Sequence, residues 1–238
     1  MIPKLLHQIW IGSPEVPSHY SDLVKTWQNK NRAWKYRLWD DSSINQLIDV
    51  HYPSLQSKYS EIPLRVMKAD LIKYLVLKAE GGLYIDLDYE CFKPIGRLLN
   101  KECVIGLEPH SNAKHHGYDY MLSTAFIASR RDHPFISFLI ECSLQKIAMM
   151  DATKLSRFDY AMGTTGPFMM NEAYRSYNRP ESIQLLKPEL VSPLSSSEIL
   201  SHATGNEDFS ERLYKSYALH YFLGSWLSTD ESVATTEK

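Results

Sequence analysis

The chain has 238 residues, and its 26 lysines and arginines nearly balance its 28 aspartates and glutamates, leaving a formal net charge of −2. This length suits one large domain, and the balanced charge argues against a nucleic-acid partner. Three scattered cysteines without metal-ligand spacing are typical of reduced, buried thiols. The chain shows no signal peptide and no apolar run of the ~20 residues that would span a bilayer. We therefore expect a cytoplasmic protein, and peripheral association with the inner face of the plasma membrane stays open.

Strand and helix patterns alternate along the chain. Short apolar runs predict strands at 5–11, 34–39, 83–88, 104–107, 122–128, 183–186 and 217–221. Helical spacing of apolar residues predicts helices at 20–29, after the capping residues 41–43, at 64–79, from Pro134 after a capping Asp132, and after Thr165-Gly166-Pro167. The alternation indicates an α/β domain with a mostly parallel central sheet flanked by helices. We expect residues 1–227 to form this single domain and the polar residues 228–238 to be a disordered tail.

Two aspartates one residue apart, Asp86 and Asp88, follow the double glycine Gly81-Gly82 and a short apolar run. In extended backbone their side chains project from one face, at the carboxyl end of a strand, where ligands gather in α/β sheets. Neighbouring carboxylates repel each other unless a proton or a cation lies between them, and their oxygens suit Mg²⁺ or Mn²⁺. An isolated pair of this kind is more often a solvated turn. The surrounding pattern instead favours a divalent metal that neutralises a phosphate or diphosphate.

Two other kinds of protein also carry closely spaced aspartates. A calcium-binding EF-hand requires glycine at the sixth loop position and glutamate at the twelfth, where this chain has Cys91 and Arg97, so we reject it. A phosphatase of the haloacid dehalogenase type has threonine or valine soon after its second aspartate. Here Tyr89 follows Asp88, and the phosphatase is kept only as an alternative.

Further candidates for the same site lie upstream of the aspartates. Asp70 and Lys73 lie three residues apart on one helix face, as an ordinary surface ion pair would, but their helix leads directly into the aspartate strand. Trp10 closes the first predicted strand, so its indole belongs either to the core or to a stacking face for a nucleobase.

The remaining candidates lie toward the C-terminus. His220 is either a structural residue or a ligand that completes a carboxylate metal site. The hydroxyl of Ser225 and the indole N–H of Trp226 suit diphosphate oxygens. Residues 164–167 either cap a helix or offer hydroxyl and N–H groups to a sugar or a phosphate. Residues 118–123 and 157–165 are candidates for acceptor-binding segments.

Three motifs in order along the chain together resemble glycosyltransferase family 32, the group of yeast initiating mannosyltransferases and bacterial capsular-sugar transferases. Segment 2–12 (IPKLLHQIWIG) is similar to the family's opening strand. Segments 68–74 (KADLIKY) and 81–88 (GGLYIDLD) look like its sugar-binding region containing DXD. Segment 218–226 (ALHYFLGSW) looks like its C-terminal element.

The resemblance implies a GT-A type nucleotide-diphospho-sugar transferase fold, a divalent cofactor (Mn²⁺ or Mg²⁺) and retention at the anomeric carbon. It also implies a role for each matching residue: base stacking by Trp10, metal ligation by Asp88, ribose and metal contact by Asp86, a further metal contact by His220, donor-sugar contact by Asp70 and Lys73, and diphosphate contact by Ser225 and Trp226. Ile9 and Tyr84 complete the nucleotide-sugar site, and Asp70, Lys73, Asp86 and Asp88 form the catalytic set. Position 73 is usually arginine in the family, so the lysine here offers a point charge instead of a bidentate fork.

These patterns favour a metal-dependent retaining glycosyltransferase. We expect it to move a sugar from a nucleotide-diphosphate sugar, a UDP-sugar before a GDP-sugar, to a glycan or lipid-linked glycan acceptor in surface or capsular polysaccharide synthesis. The alternatives are a haloacid-dehalogenase-like phosphatase and a catalytically inactive nucleotide-sugar-binding module.

Overall fold

The computed structural model describes residues 1–13 and 15–224. The strands are β1 Leu5–Ile9, β2 Lys35–Trp39, β3 Gly82–Ile85, β4 Tyr89–Cys91, β5 Cys103–Leu107, β6 Leu122–Ser129, β7 Ile183–Leu186 and β8 Ala218–His220. The α-helices are α1 Ser18–Lys30, α2 Asp41–His51, α3 Gln56–Ser60, α4 Arg65–Glu80, α5 His110–His115, α6 Pro134–Met149, α7 Arg157–Thr164, α8 Pro167–Ser176, α9 Pro188–Val191, α10 Ser196–Ala203 and α11 Ser210–Lys215. The tail predicted to be disordered, 228–238, lies outside the described residues.

Six strands form the central sheet in the order β2-β1-β3-β6-β5-β7. β1 runs parallel to β2 and β3, and β5 runs parallel to β7. β6 runs antiparallel to both of its neighbours, β3 and β5. The prediction of a mostly parallel sheet is confirmed, with one reversed strand inside it.

A separate two-stranded sheet joins β4 to β8 and corrects two of the predicted strands. The predicted strand 83–88 ends at Ile85, and the backbone turns before β4 begins at Tyr89. Asp86 and Asp88 therefore lie in a turn, and the expectation that they share one strand face is wrong. The predicted strand 217–221 forms β8, which pairs with β4 because the chain returns to this turn instead of joining the central sheet.

Helix α4 and the double glycine fix the position of β3. α4 ends at Gly81, whose φ of 67° lies in the left-handed region, and Gly82 follows with a φ of 111°. A Cβ on Gly82 would lie 2.6 Å from the Leu5 carbonyl oxygen. Glycine is therefore required there for β3 to pack closely beside β1.

Apolar side chains cover both faces of the central sheet. On one face they pack against α2, α4, α6, α7 and α8, and on the other against α1, α9 and β8. Trp39 is fully buried on the first of these faces and Trp27 on the second. In the described part of the chain, no helix combines the length and the apolar character needed to cross a membrane.

The start of α6 corrects one predicted helix cap. The side chain of His133, and not that of Asp132, accepts the hydrogen bond from the backbone N–H of Phe135. Asp132 has a φ of 51°, and its backbone N–H donates to the carbonyl of Lys78. This tertiary contact holds Asp132 outside the cap position.

The buried imidazole of His7 links β1 to its neighbours. The indole N–H of Trp39 donates to His7 Nδ1 over 3.1 Å, and Nε2 lies 2.9 Å from the Gly81 carbonyl oxygen. Nδ1 is thus an acceptor and Nε2 a donor, which fits a neutral ring. Burial lowers the pKa of His7 to about 4, with a further contribution from Arg37 and against the opposing effect of the Gly81 carbonyl.

We expect the protein to lose stability as the pH falls from 6.5 toward 4. In this interval His7 takes up a proton in the unfolded chain but not in the folded protein, so the folded state is progressively disfavoured, by about 3 kcal/mol in total. Urea unfolding at pH 7 and pH 4.5 measures the loss. It should shrink in His7→Asn and persist in His51→Asn, which changes an exposed histidine. Equal pH dependence in both variants would contradict the assignment.

Candidate active site

A cleft of about 900 Å³ opens at the edge of the sheet where β1 and β3 end. Its walls come from these strand ends, α4, the turn at 86–88, the segment after β5, the α7–α8 junction and the end of β8. The predicted site residues that line it are Ile9, Trp10, Asp70, Lys73, Tyr84, Asp86, Asp88 and His220. Ser225 and Trp226 lie outside the described residues. Residues far apart in the chain thus share one cleft.

The three predicted metal ligands meet in this cleft. One ligand atom from each of Asp86, Asp88 and His220 lies within 4.8 Å of the other two. His220 lies opposite Tyr89 in the β4–β8 register, and its Nε2 is 3.2 Å from Asp88 Oδ1. The backbone N–H groups of Tyr221 and Leu223 donate to the Asp88 carbonyl and to Oδ2, each over 2.9 Å. The segment around β8 therefore fixes the position of Asp88.

Electrostatics couple His220 to the carboxylates. Burial works against a charged imidazole, but Asp88, Glu108 and Asp86 outweigh it and raise the pKa of His220 to about 9. Burial also works against an ionised Asp88, but His220 and the Leu223 N–H hold the pKa of that carboxyl below its usual value. A proton on His220 and a divalent cation are alternative ways to balance the same carboxylates.

The donor set fits a divalent metal ion. Carboxylate oxygens suit Mg²⁺ and Mn²⁺, and an imidazole nitrogen is an additional ligand for transition metals. The His220 ring stacks on Tyr89 with 4.6 Å between centroids and 6° between planes, which fixes its orientation. Its Nδ1 is buried and has no hydrogen-bond partner among the described residues. This nitrogen is the kind of unsatisfied polar atom that a bound ligand or water would pair with.

Lys73 is buried between two carboxylates. Its Nζ lies 2.9 Å from Asp70 Oδ1 and 3.5 Å from Asp86 Oδ1, and it donates to the Thr124 carbonyl over 3.2 Å. Burial opposes the charge on Lys73, yet Asp70 and Asp86 raise its pKa above the usual value. The Lys73 and Asp70 side chains are 4% and 6% exposed, so the surface ion pair considered from the sequence is excluded.

Two hydroxyl groups orient these carboxylates. Tyr84 donates to Asp86 Oδ1 over 2.6 Å, and Thr165 donates to Asp70 Oδ2 over 2.9 Å. Thr164 donates to the Tyr160 carbonyl over 2.6 Å. Both threonine hydroxyls are thus engaged within the protein, which favours the structural interpretation of residues 164–167 over phosphate binding.

Trp10 supplies an aromatic surface to the cleft. It is half-buried just after β1, and its ring centroid lies 5.7 Å from that of Tyr20. Its Nε1 is buried without a hydrogen-bond partner in the described chain. Ile9, 8% exposed, lies beside it in the cleft wall. This position suits a planar base that stacks on the indole.

Comparison with known proteins shows which proteins the chain is similar to. Residues 17–105 match the family model described as the glycosyltransferase sugar-binding region containing the DXD motif. The chain is 25% identical over 212 residues to inositol phosphoceramide mannosyltransferase 1 of Schizosaccharomyces pombe, covering 86% of this chain and 61% of that protein. It is 30% identical over 159 residues to the initiation-specific alpha-1,6-mannosyltransferase of Candida albicans, covering 58% of this chain and 41% of that protein. The resemblance to this glycosyltransferase family that the motifs predicted is confirmed over this region.

The fold of the chain is also found in a solved structure. It superposes on the PaToxG glycosyltransferase with a TM-score of 0.55 at 15% identity, covering 91% of this chain and 89% of the other. The predicted GT-A type α/β fold is confirmed. The haloacid-dehalogenase alternative loses its support, since both the family and the fold are those of glycosyltransferases. The chain spans only 61% and 41% of the lengths of the two curated relatives.

Sequence reasoning missed Glu108, Asn112 and His116, which also line the cleft, whereas Phe158 lies in the segment 157–165 that was a candidate for acceptor binding. Glu108 follows β5 directly and is 7% exposed, and burial is the main cause that raises its pKa above the usual value. Its position at the end of a predicted strand was a usable signal. His116 belongs to no motif, and only the fold brings it beside Phe158.

Proposed function

We propose that the chain is a metal-dependent retaining glycosyltransferase that transfers a sugar from a nucleotide-diphosphate sugar to a glycan acceptor in surface or capsular polysaccharide synthesis. The observation that carries this proposal is the Asp86–Asp88–His220 group, which shares one cleft with the buried Asp70–Lys73 pair. We place the reaction in the cytoplasm, at the inner face of the plasma membrane.

Asp86, Asp88 and His220 would hold the metal, for which we propose Mn²⁺ because the imidazole adds a nitrogen to the carboxylate oxygens. The bound ion would neutralise the negative charge that develops on the leaving diphosphate. Trp10 would stack on the base at the end of β1. Asp70 would accept a hydrogen bond from the donor sugar.

Lys73 would support this site by positioning its carboxylates. Its ammonium has three N–H donors, and it contacts three protein oxygens, on Asp70, Asp86 and Thr124. The single charge of Lys73 thus holds two carboxylates in place. Asp70 is held at the proposed donor-sugar contact, and Asp86 at the proposed metal contact. The point charge of lysine is sufficient for this role, whereas a direct contact to the sugar would occupy a donor that the protein already uses.

In the proposed transfer, the acceptor hydroxyl attacks the anomeric carbon from the same face that the diphosphate leaves. The anomeric C–O bond to the diphosphate breaks, and the diphosphate leaves with the bonding electrons. The oxygen of an acceptor hydroxyl bonds to the anomeric carbon on the same face, and its proton passes to the departing diphosphate oxygen. This order of bond breaking and bond formation retains the anomeric configuration and requires no protein nucleophile.

The names of the curated relatives support mannose as the first donor sugar to test, since both are called mannosyltransferases. UDP as the nucleotide remains a prediction from the sequence alone. The donors to test, which distinguish both the sugar and the nucleotide, are therefore UDP-glucose, UDP-galactose, UDP-N-acetylglucosamine and GDP-mannose.

We expect one donor of this panel to raise the melting temperature by roughly 5–10 °C near saturation, and only with Mn²⁺ or Mg²⁺ present. The same donor should be hydrolysed slowly without acceptor, and faster transfer should follow with an added glycan. If no nucleotide sugar shifts the melting temperature or is turned over, the proposal is wrong. Binding without turnover across the acceptors would instead indicate an inactive binding module.

A further inference from the structure

One wall of the cleft is built from aromatic rings. This aromatic wall consists of His116 and Phe158, which line the cleft, and of Phe168 and Tyr118, which pack against this pair in turn. The His116 ring stacks on Phe158 with 5.7 Å between centroids and 24° between planes, and Phe168 contacts His116 edge-on at 5.2 Å. Tyr118 lies 5.5 Å from Phe168. His116 and Phe158 line the cleft and are half-buried, so part of each ring faces its interior.

The buried carboxylate of Glu108 lines the same cleft as this aromatic wall and the metal-ligand group. Its charge acts on His220 and Asp86, and its Oε2 accepts from the Asn112 amide over 3.5 Å. Asn112 lies in α5, and its carbonyl accepts a hydrogen bond over 3.3 Å from the backbone N–H of His116, which caps the end of that helix. A continuous surface therefore leads from His220 through Glu108 and Asn112 to His116 and Phe158.

The aromatic wall is also tied to the proposed donor-sugar contact. Thr165, which donates to Asp70, lies between α7 and α8. Phe158 stands in the first turn of α7, and Phe168 in the first turn of α8. The helices that hold these rings therefore keep a fixed position relative to Asp70.

We propose that the space between Glu108 and the aromatic wall is the acceptor subsite, and that it binds a pyranoside whose C–H face lies on Phe158 and His116 while a hydroxyl donates to Glu108. This inference rests on the proposed function and names the acceptor class. A pyranose has an apolar C–H face and hydroxyls around its edge, which matches rings on one side and a carboxylate on the other.

An aliphatic alcohol matches this surface less well. Its chain would pack against the rings but would leave the buried Glu108 carboxylate and the Asn112 amide without new polar partners. Covering polar groups without replacing their contacts to water disfavours binding. The surface therefore favours a sugar as the acceptor over a lipid chain.

The test compares Phe158→Ala and Phe158→Leu with the wild type, using 4-nitrophenyl mannoside, glucoside and galactoside as acceptors. We expect the acceptor KM to rise at least tenfold in both variants, because leucine keeps the apolar volume but not the flat ring. The ratio of transfer to donor hydrolysis should fall by a similar factor. Glu108→Gln should also raise the acceptor KM. Tyr214→Ala, which removes an exposed ring outside the cleft, is the matched control.

Saturation-transfer NMR with the same glycosides gives a readout that does not require turnover. The ring protons of the bound glycoside should receive saturation in the wild type and lose most of it in Phe158→Ala. Donor hydrolysis with an unchanged acceptor KM in both Phe158 variants would overturn the subsite and leave the proposed function intact. Absence of any donor binding would overturn the proposed function. The subsite would then still be tested by whether saturation transfer to the glycoside is seen in the wild type and lost in Phe158→Ala. Transfer to 1-octanol as fast as to the glycosides, or no glycoside contact at all, would overturn the pyranoside assignment.

Discussion

Replacing Asp88 by asparagine is expected to lower kcat for sugar transfer by about 10³-fold or more, while the protein stays folded. Asparagine keeps the shape of the side chain and an oxygen that accepts from the Leu223 N–H. It removes the charge that balances His220 in the cleft and that would bind a divalent cation. A loss of this size corresponds to about 4 kcal/mol of transition-state stabilisation, within the range that metal-assisted charge neutralisation supplies.

Two measurements separate loss of the metal from loss of the fold. Calorimetric titration with Mn²⁺ should show tight binding in the wild type and at least tenfold weaker binding in Asp88→Asn, while circular dichroism stays the same. Glu90→Gln is the matched control, because Glu90 lies two residues further on and accepts from the Tyr221 hydroxyl outside the cleft. Wild-type activity in Asp88→Asn would contradict the metal assignment.

The second large effect is expected from Lys73→Met, which should cost about 3–5 kcal/mol of stability because it leaves Asp70 buried without its charge partner. The Lys73 side chain is only 4% exposed, so water cannot replace the lost ammonium. The change also removes the contact to Asp86, and we expect transfer activity to fall by at least 10²-fold. Urea unfolding and the steady-state rate measure the two effects separately.

The double variant Asp70→Asn with Lys73→Met distinguishes stability from function. A neutral amide at position 70 still accepts from Thr165 and no longer requires a cation, so much of the stability should return. Activity should not return, because the donor-sugar contact and the alignment of Asp86 are both lost. Recovery of activity together with stability would show that the pair has a structural role only.

The sequence predicted the position of a helix or strand correctly where the signals that define it lie within that one segment. Apolar spacing predicted α4 over 64–79, and the structure places it at Arg65–Glu80, because its burial and its terminal glycine are local signals. The direction of β6 could not be predicted from the sequence. Its apolar residues fit a buried strand of either direction, and only its pairing with β3 and β5 decides between them.

The candidate site was predicted in composition but not in geometry. The motifs identified Asp86, Asp88 and His220, yet the strand assigned to the aspartates ends at Ile85. β4 begins only at Tyr89, paired with His220 of β8, so contacts distant in sequence shape the turn between them. Glu108 and His116 show the same limit, since each enters the cleft through packing between elements and belongs to no motif.

The pairing of β8 with β4 has a consequence for the order in which this protein matures during synthesis. Asp88 and His220 are separated by 132 residues, which a ribosome adds in on the order of ten seconds. Tyr221 and Leu223, which hold Asp88 in place, emerge together with His220. Asp86 and Asp88 thus precede His220, the proposed third metal ligand, until the described strands of the central sheet have all been synthesised. Binding of the proposed metal would in this way be a late event, dependent on the last described strand of the chain.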